Sequence, residues 1–334
     1  MNQSIETGPE KIIQDLWMAK ATQALVAGVE LDLFTQIHAG KRTLEEIARA
    51  CRASKRGMRP LLDSLTAIGY LNKKSDRYDL EPVAAQFLIR GREPFMGNFV
   101  YETKMTWEGW GHLTEIVRSG RPLIGVDQEE AGREFFPKLV AAIFPMSYGA
   151  ARSAFNTLPD KTRKGIKRIL DVAAGSAAWS LPFAEANKEA RVTVVDFPEV
   201  TVVTRQFTDR FDVSDRYDYI EGNLRQLAFG KGYDLAILGH IIHSEGEKWG
   251  KKLVRKCFDS LREGGLLLIA EMIPNDARTG PPLPLLFDLN MLVHTEQGSV
   301  FTMKEYRAWL KEAGFRKVAT IEAPSPSPLI LATK

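Results

Sequence analysis

Apolar residues recur in two different rhythms along this chain. Between residues 10 and 90 they return every three or four positions. Trp17, Ala21, Leu25 and Val29 share one helical face, and Leu61, Leu62, Leu65 and Ile68 share the apolar side of a basic helix over 56–68. Thr43 with Glu46 three residues later is a capping box that opens another helix. A hairpin follows around residues 74–76. Helix, helix, helix, hairpin is a winged-helix pattern. Its two uses are DNA contact through the basic stretch 52–59, and packing or dimerisation. The large α/β pattern downstream favours the second. Residues 95–160 continue as helices rich in aromatics and methionine: Phe95, Met96, Phe99, Tyr101, Met105, Trp107, Trp110, Phe135, Phe136, Phe144, Met146 and Tyr148. Such a stripe is ordinary core, and here part of it is expected to line a substrate site.

From residue 165 the rhythm changes. Short apolar runs predict strands at 168–172, 191–196, 217–220, 233–238 and 264–270. Periodic stretches predict helices at 178–187, 199–210, 247–262 and 303–313. Alternation of this kind gives an α/β fold with a parallel sheet and right-handed crossovers. Two last strands, 317–321 and 329–333, have only a short Pro-rich link between them, which predicts an antiparallel terminal hairpin. The expected organisation is a winged-helix domain at 1–95, a helical linker at 96–160 that contributes to a substrate pocket, and a nucleoside-binding domain at 161–334.

Composition alters this picture little. The 334 residues carry a formal charge of +3, too small to argue for nucleic acid as a partner. Two cysteines, Cys51 and Cys257, imply no disulfide framework and a reducing, cytoplasmic setting. Met1-Asn-Gln-Ser-Ile-Glu-Thr7 lacks the basic and apolar regions of a signal peptide. No apolar run reaches the ~18 residues of a membrane span, and Asp288 and Asn290 interrupt the longest candidate.

The chemistry concentrates in one stretch, Asp171-Val-Ala-Ala-Gly-Ser-Ala177, a small-residue turn at the end of a predicted strand. Asp196 closes the next strand, 21 residues after Gly175. A strand, a small-residue turn and an acid about 20 residues on form the nucleoside-binding half of a doubly wound sheet. Positions 173, 175 and 178 are Ala, Gly and Ala, a poor match to the dinucleotide fingerprint. The turn alone leaves the nucleoside open.

Together with the terminal hairpin and the later motifs, the chain resembles the S-adenosylmethionine-dependent small-molecule O-methyltransferases of the plant caffeate-type and bacterial natural-product kind, over nearly its whole length. The resemblance implies a Rossmann-like seven-stranded methyltransferase sheet and a winged-helix domain that forms a homodimer. It also implies S-adenosylmethionine as cofactor, S-adenosylhomocysteine as product, and a small-molecule acceptor. The family motif Asp-Val-Gly-Gly-Gly-x-Gly is met by residues 171–177 with three glycines replaced by alanine. Each added methyl argues for φ < 0 at those positions. By the same resemblance the cofactor-binding residues are Asp171, Ala173, Gly175, Asp196 at the ribose, Phe197 against the adenine, and the pair Asn223 and Leu224. The family's basic residue four before its catalytic histidine falls on Gly239, with His240 a candidate substitute. His243 matches the general base. Glu271, 28 residues later, matches an acid flanking it, and the family's second flanking acid falls near Val300. Trp107, Phe144, Met146, Met291 and His294 are candidate substrate-binding residues.

The physical logic supports a paired base. A phenol (pKa ~10) giving its proton to an imidazole (pKa ~6.5) faces a gap of about 5 kcal/mol, which a neighbouring carboxylate reduces. His240 and His243 with Glu245 are a poor metal set, so no metal is expected. The lost glycines, Gly239 and Val300 keep two alternatives open: a divergent relative doing C- or N-methylation or non-methyl chemistry, and a winged-helix regulator that senses S-adenosylmethionine.

Overall fold

The computed structural model describes residues 8–126 and 129–334, and of Tyr101 and Glu129 the backbone only. The reading of residues 1–7 and the Tyr101 side chain therefore lie outside the described residues. The chain divides into two compact units, the first ending at Val100 and the second running Tyr101–Lys334.

The first unit contains α1 (Glu10–Glu30), α2 (Leu33–His38), α3 (Leu44–Ala50), α4 (Lys55–Ala67), the antiparallel pair β1 (Leu71–Lys74) and β2 (Arg77–Leu80), and α5 (Pro82–Phe87). The capping box is formed. Glu46 N donates to Thr43 Oγ1 at 3.3 Å and Thr43 N donates to the Glu46 carboxylate at 3.0 Å. Leu33, Ile37, Ile47, Leu62, Leu65 and Leu71 fill the core. The expected α1 face divides along its length. Val26 and Val29 are buried, whereas Ile12, Ile13, Leu16, Trp17 and Met18 are 53–68% exposed. Five large apolar side chains on one exposed helix segment mark an association surface.

The second unit begins with α6 (Phe99–Gly111, which starts just before the boundary), α7 (Leu113–Ser119), α8 (Glu129–Thr157) and α9 (Asp160–Gly165). The alternating part follows: β3 (Arg168–Val172), α10 (Leu181–Ala186), β4 (Arg191–Asp196), α11 (Pro198–Arg210), β5 (Tyr217–Glu221), β6 (Tyr233–Gly239), α12 (Ile242–Ser260), β7 (Leu261–Ala270), α13 (Pro282–His294), α14 (Met303–Ala313), β8 (Lys317–Ile321) and β9 (Leu329–Thr333). Among the described residues the strands form one seven-stranded sheet in the order β5-β4-β3-β6-β7-β9-β8. It is parallel through β7, and β9 and β8 run antiparallel at the end. From β3 the chain winds one way through β4 and β5, then returns through β6 and β7. The carboxyl ends of β3 and β6 therefore flank the topological switch point, where open α/β sheets bind ligands.

Three elements differ from the sequence pattern. The helix expected at 247–262 starts at Ile242, across a break at Gly246 (φ 72°, ψ 179°). α13 carries no helical stripe, because its run of Pro, Leu and Phe is apolar on nearly every side. The expected linker helices pack into the second unit, with α8 against α10 and α11.

The turn after β3 corrects the expectation of negative φ at two of the three alanines, Ala173 and Ala177. Ala173, Gly175 and Ala177 have φ of 54°, 57° and 59°. Ala173 N extends the β3–β4 ladder by donating to Val195 O at 2.8 Å, and the chain must then reverse at once. The left-handed conformation costs a non-glycine residue roughly 1–2 kcal/mol. Burial offsets this: Ala177 is wholly buried, and Ala174 and Ala178 nearly so. Half-buried Ala173 has the least compensation. Ala173→Gly is expected to leave stability unchanged or raise it by up to about 1 kcal/mol in urea unfolding, since strain relief outweighs the entropy cost of glycine. A loss above about 0.5 kcal/mol, ordinary for Ala→Gly at negative φ, would contradict the strained turn.

Candidate active site

The sheet register brings the two halves of the proposed base together. Gly239 of β6 pairs with Ala270 of β7, and His240 N donates to Ala270 O at 2.8 Å. The next residue on β7's side is Glu271, 1% exposed. Its Oε1 accepts from the backbone N–H groups of Ile242 (2.6 Å) and His243 (3.3 Å), and its Oε2 lies 2.6 Å from His243 Nδ1. The carboxylate thus fills the N-terminal end of α12, where helix N–H groups lack partners and the dipole favours an anion. Burial alone would raise the Glu271 carboxyl. Interaction with His243 above all, then with His240 and the Ile242 amide, more than offsets it, holding the group below the usual carboxylate range. An ionised carboxylate can only accept, so His243 Nδ1 is the donor in this contact, and in the neutral ring that tautomer places the lone pair on Nε2.

His243 sits on the first helical turn, not on a loop, and its ring meets the edge of Phe287 of α13 at 4.9 Å. The loop 295–299 clamps its backbone. Ser299 N donates to His243 O at 2.8 Å. A Cβ on Gly246 would come within 2.2 Å of Gln297 O, and one on Gly298 within 2.7 Å of His243 O. Asp288 Oδ1 accepts from Ser299 Oγ (2.7 Å) and Val300 N (2.9 Å), tying this loop to α13. Val300 is fully buried, so the position of the family's second acid is core here.

His240 is half-buried at φ 60°, and burial pushes its pKa down to about 4. The neutral imidazole does not replace the positive charge absent at Gly239. No side chain fits at 239 in any case: a Cβ there would lie 2.3 Å from Trp179 Cδ1. Donor atoms of His240, His243 and Glu271 lie within 4.8 Å of one another, but both Glu271 oxygens are already engaged by N–H groups. Glu245 faces elsewhere, 2.7 Å from Arg225 Nε.

The nucleoside half uses the same device. Asp196, at the end of β4, accepts from Gly175 N (Oδ2, 2.9 Å) and Phe197 N (Oδ1, 2.8 Å). Burial raises its pKa to about 6 against the lowering effect of those two amides. Each oxygen retains a second lone pair. Thr204 Oγ1 donates to Gly175 O at 2.6 Å, and Val140 of α8 lies within 2.9 Å of where a Gly175 Cβ would be. Asp171, near the end of β3, is 1% exposed, and its Oδ2 has no hydrogen-bond partner. Burial, aided by Asp196 and opposed by Ser180, pushes it up to about 7. Asn223 Oδ1 accepts from Arg225 N at 3.0 Å, and Leu224 is buried, its carbonyl held by Lys256 Nζ at 2.7 Å.

The candidate substrate residues separate. Phe144 is stacked on Phe207 (4.1 Å) and Tyr148 (5.2 Å) in the core, a correction to its expected lining role. Trp107 is 42% exposed on α6. Met146 is half-buried, and Met291 is buried on α13. His294 ends α13 with Nε2 unpartnered, burial pushing its pKa down to about 4. Trp110 Nε1 donates to Asn290 Oδ1 at 3.1 Å, joining α6 to α13. Sequence reasoning missed Trp179 and Asp288. A bulky residue closing a run of small ones was the available signal for Trp179.

Comparison with known proteins agrees with this geometry. Residues 151–316 match the model of an O-methyltransferase domain, and residues 16–90 that of an O-methyltransferase dimerisation domain. The 3-hydroxy-5-methyl-1-naphthoate 3-O-methyltransferase of Streptomyces sahachiroi is 30% identical over 312 residues, 91% of this chain and 89% of its own. The tetracenomycin polyketide synthesis 8-O-methyl transferase TcmO of Streptomyces glaucescens is 29% identical over 338 residues, 98% of this chain and 97% of its own. The crystal structure of human N-acetylserotonin methyltransferase in complex with SAM shares the fold, with a TM-score of 0.86 at 23% identity over 100% of this chain and 99% of that one.

The buried acid at 171 makes a pH-dependent prediction. Its folded pKa, about 7, lies above the ordinary carboxyl value of 3.8, so the folded state holds a proton that the unfolded state gives up. The stability this carries at low pH is lost as pH rises through about 7. Asp171→Asn keeps a neutral group at every pH. In the cofactor-free protein it is expected to stabilise relative to wild type by a few kcal/mol more at pH 8 than at pH 5, at about 1.4 kcal/mol per pKa unit. Equal effects at both pH values in urea titrations would show that Asp171 is ionised throughout.

Proposed function

Because the chain belongs to the O-methyltransferase family and takes S-adenosylmethionine as cofactor, we propose that it methylates a phenolic or enolic hydroxyl of a small aromatic or polyketide-like acceptor, with His243 as general base. The observation that carries this reading is the 2.6 Å contact of His243 Nδ1 with the buried Glu271 carboxylate.

The residues at the switch point fit the cofactor. Asp196 retains acceptor capacity for ribose hydroxyls, and Phe197 and Leu224 offer apolar surface to an adenine with Asn223 beside them. Asp171 Oδ2, buried without a partner, suits the cationic end of the methionyl group. The small residues 173–177 leave the backbone approachable. Bound there, the cofactor supplies a methyl group on a sulfonium. The protein's own task is positioning and proton removal. As the acceptor oxygen takes the methyl, its proton passes to His243 Nε2, and Glu271 stabilises the imidazolium so formed. Low exposure strengthens that stabilisation, since little water screens the pair. Phe287 of α13, against the ring of His243, favours a flat apolar acceptor. The exposed α1 segment and the dimerisation-domain match support a homodimer built on the first unit.

A panel of phenols, enols and aromatic polyketides, assayed with S-adenosylmethionine and analysed by mass spectrometry and NMR, tests the reading. The methyl is expected on oxygen. His243→Ala is expected to lower kcat by about 10²- to 10⁴-fold while the cofactor Kd stays within a few-fold. Activity within a few-fold of wild type in that variant, or a methyl found on carbon or nitrogen, would contradict it.

A further inference from the structure

Trp179 is absorbed by none of these roles, yet it lies at the centre of the crevice. It follows the turn at 171–177, is 4% exposed, and its indole lies against the carboxyl end of β6, where a Cβ on Gly239 would meet Cδ1 at 2.3 Å and Nε1 at 2.7 Å. From there, rings continue to the base. Trp179 and His240 are 5.8 Å apart between centroids, His240 and His243 6.2 Å, and His243 and Phe287 4.9 Å. Three buried carboxyl groups stand at or near the same strand ends: Asp171 on β3, Asp196 on β4 and Glu271 after β7. His240, the imidazole nearest the indole, is neutral at physiological pH. An indole beside buried carboxyls favours a cation over a neutral ligand of the same shape, once a ligand at the end of β6 reaches the ring.

We propose that Trp179 is the sulfonium-recognising wall of the cofactor site, distinguishing S-adenosylmethionine from S-adenosylhomocysteine. The inference rests on the functional reading above. The nucleoside is held at Asp196, and the acceptor proton leaves through His243. The positive charge carrying the methyl must therefore lie between them, across the end of β6 where the indole sits. S-adenosylmethionine and S-adenosylhomocysteine differ by one methyl and one positive charge. The quadrupole of an indole face attracts the charged form and gains little from the neutral one. Loss of the methyl cation thus weakens the hold on what remains, which favours exchange of product for fresh cofactor. Gly239 is the companion requirement, since a side chain there would expel the ring.

The test is isothermal titration of the full-length protein with each of the two ligands, for wild type, Trp179→Phe and Trp179→Leu. Trp179→Leu is expected to weaken S-adenosylmethionine binding by about 5- to 30-fold and S-adenosylhomocysteine binding by less than about 2-fold, the range of a partly desolvated cation–π contact. Trp179→Phe, which keeps a weaker aromatic face and a smaller change in volume, is expected to fall between, and it decides the question if the leucine variant does not fold. Equal weakening of both ligands, or no change in either, would overturn the proposal while leaving the cofactor site intact. Failure of wild type to bind either ligand would overturn the cofactor site and this role with it.

Discussion

The buried carboxylate of Glu271 is the contact on which the site depends. A charge at 1% exposure is costly unless every lone pair direction that matters finds a donor. Here two backbone amides and one imidazole supply them. One group therefore follows β7, starts α12 and faces Nδ1 of His243. The proposed base, His243, is also held from behind, by the loop 295–299 on its carbonyl and by the Gly246 break that lets that loop come close. Little freedom is left to the imidazole, and this is what a proton acceptor in a positioning-dominated reaction needs.

Asp196 repeats the arrangement on the other side of the switch point, its two oxygens held by the amides of Gly175 and Phe197. The backbone between the two acids is unusual. Ala173, Gly175, Ala177, His240 and Gly246 all have positive φ, and all sit at the carboxyl ends of β3 and β6 or on the first turn beyond. Strain of this kind collects where a fold must present groups that regular structure would hide. Neighbouring packing maintains it: Val140 of α8 lies over Gly175, and Gln297 of the loop 295–299 lies against Gly246.

Much of this was legible in the sequence because it rests on local pattern. The strands β3, β4 and β6 are nearly continuous apolar runs, as buried parallel strands are. The terminal hairpin was visible from the missing helix between residues 321 and 329. Asp196, His243 and Glu271 stood out through spacing and resemblance. What was not legible depends on tertiary contact. The positive φ of Ala173 and Ala177 cannot be read from alanine, whose preference is the reverse. The helix α13 hides in a run with no polar face. The helix expected from residue 247 starts at Ile242 instead, across the break at Gly246, and the carboxylate that caps it comes from residue 271. Phe144 read as pocket and proved to be core because its partners, Phe207 on α11 and Phe211 just past its end, lie more than sixty residues away.

The central claim is that Glu271 fixes the proton on Nδ1 of His243 and leaves Nε2 free as the base. With five histidines in the chain, ¹⁵N-resolved NMR of the imidazole nitrogens can assign each ring. At neutral pH the account predicts a protonated Nδ1 and an unprotonated Nε2 for His243, with a low-field Nδ1 proton that is lost in Glu271→Gln. A His243 ring protonated on Nε2 in the wild-type protein would contradict it.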